Sequence, residues 1–129
     1  MNTPTDIEGR EFDWFSIDQD GRYALFATAG YGIAPERVRA NASAYDAIGE
    51  FIPITGWGSA AVWQSYARVG LYAYDWSDMQ GAYVRVALPE VALPPQLAAE
   101  LAACKEIHVF DGSFSNTGMI WPEWRNDDS

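Results

Sequence analysis

Phe12-Asp13-Trp14-Phe15-Ser16-Ile17, then Asp18-Gln19-Asp20-Gly21, then Arg22-Tyr23-Ala24-Leu25-Phe26-Ala27-Thr28, is the stretch on which the fold turns. Two runs of aromatic and aliphatic strand formers flank a turn ending in Asp-Gly, and that pattern predicts a β-hairpin. A second hairpin is predicted further on. Leu71-Tyr72-Ala73-Tyr74-Asp75-Trp76 and Ala82-Tyr83-Val84-Arg85-Val86-Ala87-Leu88 flank Ser77-Asp78-Met79-Gln80-Gly81. In the two-residue period of a strand, Tyr72, Tyr74 and Trp76 share one face.

Helical signals fill the space around the hairpins. Pro35 suits a first helical turn, and Val38, Ala42, Tyr45 and Ile48 recur on one helical face, with Gly49 and Pro53 as stops. Ser59 is placed as an N-cap for a short second helix carrying Val62, Trp63, Tyr66 and Val69 and ending near Gly70. Leu97, Leu101 and Cys104 mark a third helix over 95–104. Ile107 to Phe110 reads as a short buried strand, and Phe114 to Ile120 as a further short one. Two hairpins separated by helices predict an α+β fold. The sheet is expected to be largely antiparallel, with two to three helices packed on it. The length of 129 residues predicts one domain over 1–129, with 1–11 and 122–129 as frayed or extended termini.

Eighteen Asp and Glu against eight Lys and Arg give a formal net charge of -10. That balance argues against nucleic acid and anionic membrane as partners, and it favours a basic protein steered in by the field. An acidic coat for solubility produces the same number. No run of 18 apolar residues predicts a membrane span. The polar Met1 to Glu11 stretch lacks the pattern of a secretory signal. Cys104 stands alone, so a reducing cytoplasm is the expected compartment.

The chemical motifs are thin. Gly56-Trp57-Gly58-Ser59-Ala60-Ala61, with Asp75 beyond it, matches a dinucleotide-binding spacing. Pro53 interrupts the preceding run, and bulky Trp57 sits where a pyrophosphate must approach, so a helix-entry turn is expected and no cofactor. Asp18-x-Asp20-Gly21 opens like a calcium loop, but its twelfth position is Ala29 rather than Glu, so a hairpin turn is expected. One His and one Cys make a poor metal set, and His108 in an apolar run reads as a hydrogen-bonded structural residue. Asp18 with Asp20, and Asp75 with Asp78, are carboxylate pairs at hairpin tips, where solvent keeps acids ionised. No catalytic residues and no enzymatic activity are expected.

The acids cluster. Asp6, Glu8, Glu11, Asp13, Asp18 and Asp20 fall in the first twenty residues, Asp75 and Asp78 at the second tip, and Asp127 and Asp128 in the tail. If both hairpins join one sheet with their tips on one edge, negative potential concentrates beside Trp14 or Trp76. Trp76, next to its turn, is the candidate anchor, since Trp is a frequent hot-spot residue.

The segment Asp13 to Gly21, continued by Ala24 to Gly32, resembles openings of small bacterial immunity proteins of polymorphic or contact-dependent toxin systems. Leu71 to Arg85, with Tyr74-Asp75-Trp76 and Gly81-Ala82-Tyr83, is similar to the same group. The resemblance implies a cytoplasmic protein that binds one cognate toxin domain, such as a nuclease with a basic cleft, and blocks it. On that reading Asp18, Asp20, Asp75 and Asp78 steer the partner and Trp76 anchors it. Two alternatives stay open: a homodimeric accessory protein, and a small-ligand-binding domain with a pocket lined by Tyr and Trp.

Overall fold

The computed structural model describes residues 11–30, 32–54 and 59–122. The first hairpin pairs β1 (Asp13–Ile17) with β2 (Tyr23–Ala27), and the second pairs β3 (Tyr72–Ser77) with β4 (Ala82–Ala87). Gly21 closes the first turn at φ 80°, its N–H donating to the Asp18 carbonyl. Gly81 closes the second at φ 64°, on the Ser77 carbonyl. Both turns need the left-handed backbone that glycine adopts without a Cβ penalty.

The hairpins join through a parallel pairing of β2 with β3. Two short strands complete the edges: β5 (His108–Val109) lies parallel to β1, and β6 (Met119–Ile120) antiparallel to β4. The result is a six-stranded sheet in the order β5-β1-β2-β3-β4-β6. The expected α+β architecture and its largely antiparallel sheet are therefore present. Two of the joints, β1–β5 and β2–β3, are parallel, which the hairpin reading did not foresee.

The parallel joint has a consequence for the tips. Parallel neighbours run the same way, so the β1–β2 turn and the β3–β4 turn project from opposite ends of the sheet. The expectation that both tips share one edge is corrected: their acids do not add into one patch.

Helices α1 (Glu36–Arg39), α2 (Ala42–Gly49) and α3 (Val62–Ala67) lie in the crossover from β2 to β3, and α4 (Pro95–Ala103) follows β4. The predicted continuous helix through Val38 and Ile48 is broken in two. Asn41 leaves helical geometry at φ -124°, and its side-chain amide donates to the Arg37 carbonyl at 2.8 Å, a local bond that competes with the helix ladder. The apolar face survives the break, with Val38, Tyr45 and Ile48 all buried. Ser59 caps, but on the turn before α3: its Oγ accepts the Ala61 N–H at 3.2 Å.

The two faces of the sheet bury different chemistry. On the helix face, Phe15 stacks on Tyr45 of α2 with ring centroids 6.3 Å apart. On the other face Trp14, Phe26, Tyr74 and Tyr83 form a fully buried aromatic cluster, with Trp14 on Phe26 at 4.3 Å and Phe26 on Tyr74 at 4.9 Å. Residues 110–118 cross that face as a strap from β5 to β6, with a 3-10 turn at Phe114–Asn116. Phe114 is buried against Phe26 and stacks on Phe110. Ile107–Phe110 is thus an edge, not a buried strand, and Val109 is largely exposed.

Candidate functional site

The register of the sheet lays out one row of residues on the helix face. Asp13 of β1 pairs with Ala27 of β2, Ala27 with Asp75 of β3, Asp75 with Val84 of β4, and Val84 with Met119 of β6. Register partners project to the same side of a sheet, about 4.8 Å apart per strand. All five are half-buried. The row lies at the end of the sheet away from the Asp18–Gly21 turn.

At its acidic end the row forms the floor of a cavity of about 510 Å³. Ala27 is small enough to leave a depression between the Asp13 and Asp75 side chains. Glu11 and Ala29 also line it, together with Ser59, Trp63 and Tyr66 from the α3 region. A smaller cavity of about 170 Å³ shares Glu11, Asp13 and Tyr66 and adds Asp46 and Glu50 of the α2 region. Among the described residues lining both cavities there is no Lys, Arg or His.

Asp13 feels this environment most. Burial raises its carboxyl to about 6; the Tyr66 hydroxyl, donating at 3.4 Å, lowers it, and the charges of Glu11, Asp46 and Asp75 raise it further. Asp75 is also raised, chiefly by partial burial, with the Glu11 charge adding to it. Tyr66 is pushed up by burial and by the Asp13 charge, so it remains a donor to Asp13 near neutral pH. A cation entering the cavity relieves all of these repulsions together.

The residues expected to form the site are not assembled in one place. Asp18 is 4% exposed, and its carboxylate is enclosed by backbone donors. Oδ1 accepts the Asp20 and Arg22 N–H groups, each at 2.9 Å, and Oδ2 accepts the Phe114 N–H at 2.8 Å. Asp18 is thus not one of the exposed acids, and it ties the first turn to the strap. Asp20 is exposed on that turn. Trp76 projects to the strap face, edge-on to Tyr83, and its indole N–H donates to exposed Asp78 at 2.7 Å. Of the five, Asp75 alone joins the cavity.

Asp13, Glu11, Trp63 and Tyr66 were not singled out as a site by the sequence reading. One signal was present. Along β1, Asp13 falls in the same alternation as Phe15, so a strand with Phe15 buried carries a carboxylate on its packed face. Its partner across two strands was invisible, because the parallel joint that aligns Asp75 depends on pairs such as Ala27 with Asp75, 48 residues apart.

The other motifs stay structural or fall elsewhere. Asp18 to Gly21 is a hairpin turn. His108 pairs through Nδ1 with Ser16 Oγ at 2.8 Å, and Ser16 is fully buried, which denies a substrate access to that hydroxyl. Gly56-Trp57-Gly58, Asp6, Glu8, Asp127 and Asp128 lie outside the described residues. Among the described residues no group of three or more His, Cys, Asp or Glu is arranged to hold a metal ion, and no helix is long and apolar enough to cross a membrane. Comparison with family models, with curated proteins and with solved structures finds no match to this chain.

Proposed function

We propose that this chain is an immunity-type binding protein that captures a basic surface of a cognate toxin domain, using the Asp13–Asp75 cavity as a socket for a Lys or Arg side chain. The observation that supports it is the raised Asp13 carboxyl, facing Glu11 and Asp75 across a cavity whose described lining offers no cation. A buried acid held among like charges costs folding stability, and such costs are retained where binding needs them. Trp63 on the cavity wall supplies an aromatic surface for an arriving guanidinium. The net charge of -10 provides the long-range attraction. Asp20 and Asp78 contribute to that field as exposed acids, and Asp75 contributes a direct contact.

The test is association with the product of the adjacent reading frame, followed by kinetics at low and high salt. Expected are a stoichiometric complex, an association rate that falls with salt, and a loss of at least tenfold in affinity in Asp75→Asn and in Glu11→Lys. Full protection by both variants would refute the socket. A competing reading, a small cationic ligand, draws on the cavity volume of about 510 Å³, which exceeds the needs of one side chain. Native mass spectrometry of the purified protein separates the two, since a retained small molecule adds a discrete mass. A homodimer is the remaining reading, and a mass that doubles with concentration on size exclusion selects it.

A further inference from the structure

The row that starts in the acidic cavity does not stop there. Beyond Asp75 it continues through Val84 to Met119, and two residues past Met119 the chain leaves Trp121 52% exposed. Val86 is the extra residue of a β-bulge in β4, because pairing steps from Ala73–Ala87 to Tyr74–Arg85, and it is exposed as well. Carboxylates thus pass directly into apolar surface along a single line across the strands. Resting on the proposed capture of a basic protein, we infer that this line is one docking strip. It takes a partner segment presenting a cation and, about 9–10 Å away (two strand spacings), an apolar side chain.

Charge complementarity selects this occupant. A second copy of the chain brings another -10 and sets its own Asp13 and Asp75 row against this one. A purely apolar partner leaves the repelling acids of the cavity uncompensated. A cation followed by an apolar group meets both halves. On an amphipathic helix laid across the strands, a Lys or Arg and an apolar residue seven positions on lie about 10.5 Å apart along the axis, close to this separation.

Two small cations test the strip without the partner, on the intact chain. Ethylguanidinium carries the charge alone, and 4-phenylbutylguanidinium adds a ring at about two strand spacings. Each is titrated against an equal ionic strength of NaCl and read by amide chemical shifts. Both are expected to shift Asp13, Ala27 and Asp75. Only the longer probe is expected to shift Val84 and Met119, and to bind at least fivefold more tightly. Met119→Gln, which adds no charge, is expected to abolish that gain; Met119→Asn serves if the first variant does not fold. Equal affinities, shifts of the longer probe away from Val84 and Met119, or no binding by either probe overturns the strip. The expected probe pattern, with no binding of the adjacent-frame product, supports the strip and refutes only the toxin reading.

Discussion

At Asp13 the cost of burying an acid among like charges is carried by one proton. Its carboxyl titrates near 6 in the folded chain, raised first by burial, against 3.8 as the ordinary value. Between those pH values the folded state holds a proton that the unfolded state has released, so stability falls as pH rises through this window. Above it the deficit is complete and amounts to at most about 3 kcal/mol. Asp13→Asn is therefore expected to raise the melting temperature at pH 8 and to leave it near the parent's at pH 4; thermal scans at the two values check this. Asp18 presents the opposite case. Its carboxylate satisfies three backbone N–H groups, so Asp18→Ala is expected to cost about 3 kcal/mol or more, by denaturant titration. Asp18→Asn is expected to cost less, since one oxygen still serves Asp20 and Arg22 while the amide opposes the Phe114 N–H. Both residues belong to the same acidic run in sequence. Spacing could not separate them: two of Asp18's donors lie in its own turn, but the third, Phe114, comes from the strap, and the acids facing Asp13 include Asp46 of α2 and Asp75 of β3.

The strap at 110–118 departs from the short strand expected over Phe114 to Ile120: Phe114–Asn116 form a 3-10 turn across the sheet face, and only Met119–Ile120 pair as a strand. It is anchored by side chains from three distant segments. The Tyr74 hydroxyl donates to the Phe114 carbonyl at 3.2 Å and to the Thr117 carbonyl, Arg85 donates to the Phe114, Ser115 and Thr117 carbonyls, and Asp18 accepts from Phe114. Tyr74→Phe removes one of these ties. Hydrogen exchange at Asn116 and Thr117 is expected to quicken about fivefold to tenfold, in line with one hydrogen bond near 1 kcal/mol, while β1 to β4 keep their protection. Both hairpins were legible because strand propensity, alternation and turn glycine all act within about ten residues, and they agree at Gly21 and Gly81. Helix faces were legible for the same reason, as Leu97 and Leu101 of α4 show. The break at Asn41, the parallel joint, and the edge positions that the short strands β5 and β6 take beside β1 and β4 were not. Each is settled by a single side-chain bond or by a pairing between distant segments, and neither leaves a periodic trace in the chain.

For the whole molecule, the proposed capture of a basic partner assigns approach to the field set by -10 and residence to the strip. Charge reversal at exposed Asp20 and Asp78, far apart at opposite tips, is expected to slow association about severalfold and to leave dissociation unchanged. Trp121→Ala is expected to do the reverse, and stopped-flow kinetics against the proposed basic partner distinguishes the two. The strand order carries one last consequence, for biosynthesis. While residues 1–106 have emerged from the ribosome and 107–120 have not, β1 and β4 are both open edges of a four-stranded sheet, and the Trp14–Phe26–Tyr74 cluster lacks its cover. A nascent chain in that state offers two unpaired strands and an aromatic face to its neighbours on a polysome. Chains halted before residue 107 are expected to co-aggregate or to call on chaperones, whereas the last two short strands pair part of each edge, Ser16–Ile17 and Tyr83–Val84, at nearly the same moment.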